Sequence, residues 1–243
     1  MNLIKLDAID STNDFLKELS KNQVVENFTV VVAKNQTKGK GQMGSTWDSE
    51  SGKNIIMSVL IKDVLNDVGE IFHLNVAVAL SIIQVLEEFN LPKLSIKWPN
   101  DIMSETKKLC GILIENSFKS DTKIESVVGI GLNVNQKVFE NLPKASSMAV
   151  VMNKEYDLDF LIEKILFQLK KYCGLILSNQ EDKLWNDFHK YLFKMNMPMP
   201  FEDANQNRFM GIIQGVTDDG KLQLLLEDNS IKTCGIKEIQ MLF

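Results

Sequence analysis

A glycine-rich stretch near the amino terminus is the segment best suited to chemistry. It consists of Gly39, Lys40, Gly41, Gln42, Met43 and Gly44, followed by Ser45, Thr46 and Trp47. Glycines expose backbone N–H groups and a lysine adds positive charge, so such a loop can wrap a phosphate or an acyl phosphate. Its spacing is not that of a P-loop. Taken alone, the stretch is equally consistent with a flexible connector between strands.

Three later segments combine charge, amides and glycines. Residues 97–101 place a lysine, an amide and a carboxylate around a proline, although the same residues are typical of an ordinary turn. Residues 107–115 begin with two lysines and continue as an apolar strand, and lysines in that position are often only a solvated strand end. Residues 127–135 contain two glycines inside an apolar run, which indicates close approach of a ligand to the backbone or a simple bulge.

The composition is that of a folded protein. With 243 residues, 44% hydrophobic and 24% charged, the chain can bury a substantial core. The formal charge is -5 and the basic residues are scattered, apart from a local group at Lys34, Lys38 and Lys40. We therefore expect no nucleic-acid partner.

The cysteines and the amino terminus indicate an intracellular protein. Cys110, Cys173 and Cys234 are far apart and form no C-x-x-C pair, so we interpret them as reduced core thiols. Charged residues near the amino terminus are incompatible with a signal peptide. The apolar residues 75–86 are too few to span a bilayer. We expect a cytoplasmic protein without membrane contact.

The segments above need a framework of strands and helices to position them. Alternation and β-branched runs predict strands, and 3.6-residue spacing predicts helices. The predicted strands are residues 2–9, 28–33, 54–61, 94–98, 109–115 and 127–133. We expect 94–98 and 109–115 to pair around a turn at 99–101. Helices are predicted after the capping residues 10–13, over 68–90 and over 158–177.

The carboxyl-terminal part differs in character. From residue 197 onward, short alternating runs are separated by turn signals at 203–207, 218–220 and 227–229. This pattern predicts a small β-barrel of SH3-like type. The expected domains are 1–192, carrying the chemistry, and 193–243.

In this order, the four segments resemble the catalytic core of biotin protein ligases, and Ser11, Thr12 and Asn13 belong to the same resemblance. It covers nearly the whole chain. It implies an α+β fold, with a mixed β-sheet catalytic core and flanking helices (class II synthetase-like and lipoate-ligase-like), plus the small barrel. The amino-terminal winged helix of bifunctional members has no counterpart, so we expect a monofunctional ligase.

The resemblance also implies a reaction. Such ligases join biotin to the α-phosphate of ATP with Mg²⁺ and then pass biotin to a lysine of a biotin carboxyl carrier protein. Both steps bring negative charge together, so the site needs fixed cations and a lid that excludes water. Lys108 matches the lysine that lies beside the biotin carboxylate and the α-phosphate. Lys40 matches a residue that holds a phosphate from the loop. Lys97, Asn100 and Asp101 match the nucleotide end, with Asp101 assigned to magnesium.

The remaining matched positions are expected to contact biotin or the adenine nucleotide. Ser11, Thr12, Asn13 and Gln36 match residues at the biotin ureido ring, while Gly111 and Ile112 match the pocket wall. Trp47 is expected to close over the adenylate and Asn133 to read the base, although Trp47 and Ile112 could simply be core residues. The other expected contacts are Gly39, Gly41, Gln42, Gly44 and Gly131.

The chain departs from the arginine-rich loop of some relatives at four positions. These positions hold Lys40, Gln42, Met43 and Ser45, and a lysine lacks the bidentate geometry of arginine. A lipoate or octanoate ligase or transferase is one alternative, and a non-catalytic biotin sensor is another. We interpret His73 and His189 as structural. The sequence leaves the oligomeric state open, with a homodimer as one option.

Overall fold

The structure, a computed structural model, describes residues 2–65, 67–120, 123–140 and 142–243. Its larger sheet has seven strands in the described part. They are β1 (Leu3–Ile9), β2 (Val30–Gln36), β3 (Ile55–Lys62), β4 (Leu94–Lys97), β5 (Asp101–Ser104), β6 (Lys107–Ser120) and β7 (Lys123–Leu132). The order across the sheet is β1-β2-β3-β7-β6-β5-β4.

Strands β1 and β2 are parallel, whereas the other neighbours in this sheet are antiparallel. Parallel neighbours need a crossover, and helix α1 (Thr12–Asn22) supplies it. Ser11 caps this helix, because its hydroxyl accepts the Asp14 N–H at 3.4 Å. The predicted strand, cap and helix at the amino terminus are therefore confirmed.

The two faces of the sheet bury different clusters. Val30 and Val59 belong to the large core, whereas their neighbours Val31 and Leu60 pack with Leu16 of α1. Successive strand residues point to opposite faces, so the alternation is the one expected for a sheet covered on both sides.

The predicted pairing of residues 94–98 with 109–115 is wrong. Strand β5 lies between them and pairs with β4 on one side and with β6 on the other. Asp101 therefore opens a strand instead of closing a turn. Four residues that begin with Asp give too little alternation to indicate a strand, because Asp has low strand propensity.

The remaining helices cover the large-core face. They are α2 (Ile71–Glu88), α3 (Met148–Met152), α4 (Leu158–Leu177) and α5 (Glu181–Tyr191). Helix α2 packs against α4, α5 and the strands β4, β5 and β6. The helices over 68–90 and 158–177 were predicted, whereas α3 and α5 were not.

Helix α2 also corrects an argument about membranes. Together with the 3₁₀ turn Val68–Glu70, it is long and apolar enough to cross a bilayer by length and composition. The expectation that no apolar segment is long enough was therefore wrong. Most of this segment is buried inside the protein, as in the core helix of a soluble domain.

The second sheet follows the predicted turn signals. Its strands are β8 (Pro198–Asp203), β9 (Arg208–Val216), β10 (Leu222–Leu225), β11 (Ile231–Cys234) and β12 (Ile239–Met241). They form a five-stranded antiparallel sheet in the order β11-β10-β9-β8-β12. The α+β class is thereby confirmed, as a mixed sheet with helices followed by a small β unit.

The two sheets meet at a packed junction. The Trp98 indole N–H donates to the Gly220 carbonyl at 2.8 Å, and His189 Nε2 accepts the Val216 N–H at 3.1 Å. The other ring nitrogen of His189 is 2.8 Å from the Trp185 carbonyl, so this histidine holds backbone in place. Because one hydrophobic cluster runs across the junction, the division at residue 192 stays a prediction.

The three cysteines are buried and form no disulfide, as predicted. Burial raises the pKa of the Cys173 thiol to about 12 and also raises those of Cys110 and Cys234. None of these thiols is poised to act as a nucleophile at neutral pH.

Candidate active site

A cavity of about 230 Å³ opens on the face of the sheet that α1 covers. On β6 and β7, Gly111 is paired with Gly131 and Leu113 with Gly129, so these four residues share one face. Three of the four are glycines, and the missing side chains leave a hollow beside α1. Gly129 and Gly131, which the sequence marked as sites of close approach, thus form the floor of the cavity together with Gly111.

One end of the cavity is lined by a polar network. Ser58 Oγ lies 2.7 Å from Thr12 Oγ1 and 2.6 Å from Asn13 Oδ1. Gln36 Oε1 accepts both the Thr12 N–H at 2.7 Å and the Thr12 hydroxyl at 3.0 Å. Its amide nitrogen forms no hydrogen bond with any described residue, so Gln36 Nε2 is the donor that remains for a ligand.

The opposite end carries the charged groups. Lys108 Nζ is 2.6 Å from Asp101 Oδ1, and both side chains line the cavity. Asn100 is buried and donates to the Ile112 carbonyl at 2.6 Å, which fixes β6 next to Lys108. The cavity therefore has a polar end, a middle lined by Leu113 and Trp47 over the glycines, and a cationic end.

Trp47 lies across the glycine floor. A Cβ atom at Gly131 would be 2.4 Å from Trp47 Cε2, and one at Gly111 would be 3.0 Å from Trp47 Cζ3. Lys108 Nζ is 5.6 Å from the centre of the ring, within cation–π range. The indole N–H is buried and has no hydrogen-bond partner among the described residues. Trp47 therefore requires glycine beneath it and keeps a donor available.

The glycine-rich loop folds as a small hairpin over the cavity. Lys40 and Thr46 form an isolated bridge, and the Gly41 N–H donates to the Ser45 carbonyl at 2.7 Å. Gly39 lies at the base, where a Cβ atom would be 2.2 Å from the Trp47 carbonyl oxygen. The loop is thus a defined turn that ends on Trp47.

The three lysines of this region are each paired with an aspartate. Lys34 Nζ lies 2.7 Å from Asp7, Lys38 Nζ lies 2.7 Å from Asp10, and Lys40 Nζ lies 2.6 Å from Asp14. The basic group seen in the sequence is therefore no exposed basic patch. Lys40 lines the cavity with its charge already balanced.

A second group of lysines surrounds the cationic end. Lys97, Lys107, Lys108 and Lys144 lie in this region. Among their described contacts, Lys108 pairs with Asp101, while Lys107 and Lys144 donate to the backbone oxygens of Pro143 and Phe243. Burial, together with the charges of Lys108 and Lys144, lowers the pKa of Lys97 despite the opposing effect of Asp101. This end of the site carries excess positive charge.

The described residues do not form a metal site made only of protein side chains. Within the described ranges, no three His, Cys, Asp or Glu side chains are grouped to hold a metal ion. Asp101 is the one acidic residue among those that line the cavity. Mg²⁺ commonly uses one or two carboxylates together with water and substrate phosphates, so this donor set fits a magnesium ion that arrives with a nucleotide.

Most of the predicted site residues line the cavity together. They are Ser11, Thr12, Asn13, Gln36, Lys40, Gly41, Gln42, Trp47, Asn100, Asp101, Lys108, Gly111, Ile112 and Gly131. Lys97 lies in an adjoining cavity between the loop and the second sheet. Gly39 and Gly44 do not line the main cavity but shape the loop.

Asn133 is placed differently from its expected position. It is buried, its side chain donates to the Ser146 carbonyl at 3.0 Å, and it does not line the cavity. In this structure it ties the end of β7 to the segment before α3.

Sequence reasoning missed Ser58, Met57 and Leu113 as part of the site, and it noted Gly129 only as a point of close approach. Alternation along β6 and β7 could have found Leu113 and Gly129, because they share a face with the predicted Gly111 and Gly131. No local signal marks Ser58 or Met57. They enter the site only because β3 lies beside β7.

Known proteins resemble this chain in both sequence and structure. Residues 6–135 match the Biotin/lipoate A/B protein ligase family. The bifunctional ligase/repressor BirA of Bacillus subtilis is 31% identical over 241 residues, covering 98% of this chain and 71% of that protein.

Two further relatives are named as biotin ligases. The biotin–[acetyl-CoA-carboxylase] ligase of Mycobacterium tuberculosis is 27% identical over 198 residues, covering 80% of this chain and 72% of that protein. The structure of a biotin protein ligase from Aquifex aeolicus in complex with biotin and ATP matches with a TM-score of 0.83 and 26% identity. It covers 99% of this chain and 98% of that one.

Proposed function

This chain belongs to the biotin/lipoate A/B protein ligase family, and we propose that it is an ATP-dependent biotin protein ligase. The observation that carries this conclusion is a single cavity with hydrogen-bonding groups at Thr12 and Gln36, and Lys108 at its other end. A ligand with a polar head, an apolar chain and a carboxylate fits this order, and biotin is such a ligand. The Aquifex aeolicus ligase of the same fold was solved with biotin and ATP.

In the first step, a carboxylate oxygen of biotin attacks the α-phosphorus of ATP. The bond from that phosphorus to the bridging oxygen breaks and pyrophosphate leaves. Lys108 stabilises the negative charge shared by the carboxylate and the phosphate, and Lys97 attracts the rest of the triphosphate. Asp101 holds the Lys108 ammonium group in place until the substrates arrive.

In the second step, a lysine amine of a carrier protein attacks the acyl carbon and AMP leaves. Until then the mixed anhydride must be kept from water. The loop and Trp47 provide this cover, since they lie over the glycine floor between the two ends of the site. The buried indole N–H of Trp47 is available to a ligand acceptor.

Magnesium neutralises the charge of the triphosphate when it is bound with ATP. Asp101 is the residue of this chain that would hold it. Because Asp101 also contacts Lys108, the same carboxylate would bring the metal and the catalytic cation to one end of the cavity.

The protein partner is a biotin carboxyl carrier protein or domain, which presents the acceptor lysine. A homodimer in the cytoplasm is part of this proposal, without a nucleic-acid or membrane partner. Size-exclusion chromatography coupled to light scattering measures the oligomeric state.

The decisive experiment is incubation with Mg²⁺, ATP, biotin and a biotin carboxyl carrier domain, followed by mass measurement of the acceptor. We expect the acceptor to gain the mass of one biotinyl group, with one pyrophosphate released per transfer. Parallel reactions with lipoate and octanoate test the alternatives within the family. Transfer of lipoate but not biotin would overturn the choice of substrate, and binding of biotin without pyrophosphate release would favour a sensor.

A further inference from the structure

We propose that Asp14 is a positioning residue that holds the glycine-rich loop closed over the cavity through the ammonium group of Lys40. The inference rests on the proposed ligase function, because its consequence is retention of the activated intermediate. Asp14 lies in the first turn of α1, outside the cavity lining. It therefore acts through Lys40 and not by touching a substrate.

The loop has one charged residue with which to anchor itself. Between residues 39 and 47 the only ionisable side chain is that of Lys40. Its Nζ atom lies 2.6 Å from Asp14 Oδ2, and this is its only ion pair in the described structure. Gln42, Met43 and Ser45 carry no charge, so the ionic attachment of the loop to the body of the protein depends on this contact.

The anchor point is itself fixed from the other side. Lys17, one turn further along α1, lies 2.9 Å from Asp14 Oδ1 and 2.7 Å from Glu115 Oε1 of β6. Each oxygen of Asp14 thus has its own cation. A carboxylate with two partners and a helix beneath it has little freedom to follow the loop if the loop opens.

The network continues from Glu115 to the polar end of the cavity. Asn13 donates to Glu115 Oε2 at 2.8 Å, and its Oδ1 lies 2.6 Å from Ser58 Oγ. Ser58 contacts Thr12, which donates to Gln36. The residues that would bind the ligand head and the residue that anchors the lid therefore belong to one hydrogen-bonded chain.

Asp14 is ionised under the conditions in which the latch is needed. Burial acts to raise its pKa, but hydrogen bonds from Lys40 and Lys17 outweigh that effect, and the pKa is lowered overall. Its place in the first turn of α1 also favours a negative charge, because helix amino termini carry partial positive charge.

Holding Lys40 also places Trp47. Lys40 forms a β-bridge with Thr46 across the hairpin, and the backbone N–H of Trp47 donates to the Gly39 carbonyl at 2.9 Å. If Lys40 is released, the hairpin loses its outer attachment and the ring of Trp47 loses its support above Gly131. The first consequence is escape or hydrolysis of the adenylate before transfer, since the chemical step depends on Lys108.

The test is the number of pyrophosphates released per biotin transferred to a carrier domain, measured at saturating biotin and ATP. We expect Asp14→Asn to waste about threefold to fivefold more adenylate than the wild-type chain, which is the range for a partly exposed ion pair within a network. Asp14→Glu should restore coupling. Trypsin should cleave after Lys40 faster in Asp14→Asn than in the wild type when both are saturated with biotin and ATP.

Asp7→Asn is the matched control, because Asp7 forms a similar ion pair with Lys34, with 2.7 Å between Lys34 Nζ and Asp7 Oδ1, outside residues 39–47. It should leave both coupling and cleavage unchanged. Unchanged coupling in Asp14→Asn, or equal loss in Asp7→Asn, would overturn the proposal. Thermal unfolding measures whether each variant is folded. We expect Asp14→Asn to fold, because the Asp14 side chain is partly exposed. If the wild-type chain releases no pyrophosphate with biotin, it is the ligase function that fails.

Discussion

The two groups of lysines near the cavity differ in how far carboxylates neutralise their charge. On the loop side, Lys34, Lys38 and Lys40 each have their own aspartate. On the strand side, Lys108 is paired with Asp101, whose charge also acts on Lys97, whereas Lys107 and Lys144 donate to the backbone oxygens of Pro143 and Phe243. An uncompensated set attracts a polyphosphate, whereas a compensated set fixes structure. The strand side is therefore suited to bind ATP and the loop side to hold the lid.

This contrast changes the role of the glycine-rich loop. A loop lysine could be expected to clamp phosphate, but Lys40 would have to give up Asp14 to do so. Lys108 is paired as well, but its partner Asp101 also lines the cavity, so the Lys108 ammonium group already lies at the end of the cavity where an anion would bind. Charges that are already in place contribute more to catalysis than charges that must move.

The strongest test of the contrast is Lys108→Ala. We expect adenylate formation to fall by about a hundredfold to a thousandfold, the usual cost of removing one preorganised charge at a reacting group. Biotin binding should be largely retained, because the polar end of the cavity is untouched. The measurements are pyrophosphate release and biotin calorimetry, with Lys38→Ala as a control on the compensated side. A wild-type rate in Lys108→Ala would refute the assignment.

Gly131→Ala tests whether the lid needs its glycine floor. The added methyl group would lie 2.4 Å from Trp47, so the ring must move away from the position that closes the site. We expect at least about a tenfold loss of biotin transfer, in line with the cost of overpacking a close contact. Gly174→Ala in α4 is the control, since its Cβ meets no atom within 4 Å. Normal transfer by Gly131→Ala would mean that Trp47 can close elsewhere.

Lys97→Met tests whether the charge of Lys97 serves ATP binding at the expense of the stability of the fold. We expect the KM for ATP to rise by about tenfold, the effect of one lost charge contact at a phosphate. At neutral pH the melting temperature should rise slightly, because burial disfavours the charged lysine and lowers its pKa.

The pH dependence of that stability gain has a definite sign. A lysine whose folded pKa is lowered is penalised at pH values below that pKa, and the penalty disappears as the pH rises through it towards the unfolded value. The stability difference between Lys97→Met and the wild type should therefore shrink in alkaline solution. If the gain in stability does not change with pH, its cause is the packing of the new side chain against Phe243, whose ring centre is 4.9 Å from Lys97 Nζ.

The smallest expected effect concerns the loop in the unmodified chain. Residues 37–52 should become several-fold more resistant to protease when biotin and ATP are added, because ligands hold the lid against the floor. Cleavage in the segment between β8 and β9 is the internal control. Equal sensitivity with and without ligands would show that ligands add nothing to the closure of the loop.

Local sequence patterns were sufficient for much of the fold. Alternation and β-branched runs located β1, β2, β3 and β7, and helical spacing located α2 and α4. Such patterns depend only on neighbours in the chain, which is why they can be recognised without a structure. Strand β5 was missed because four residues beginning with Asp101 carry almost no pattern.

The residue types of the site were also accessible from the sequence. Lys108, Gln36 and the glycines of β6 and β7 are distinctive in their segments, and the cavity brings them together. What the sequence by itself determined is thus the class of fold, the segments that carry chemistry and the family they resemble.

Tertiary structure decided which charges are available. The parallel register of β1 and β2 sets Leu3 beside Val30, and the same offset brings Asp7 next to Lys34 and Asp10 next to Thr37 and Lys38. The same partnering of distant segments turned Asn133 away from the cavity and joined Lys40 to Asp14. Charge compensation depends on distances through space between residues far apart in the chain, and only the folded topology fixes those distances.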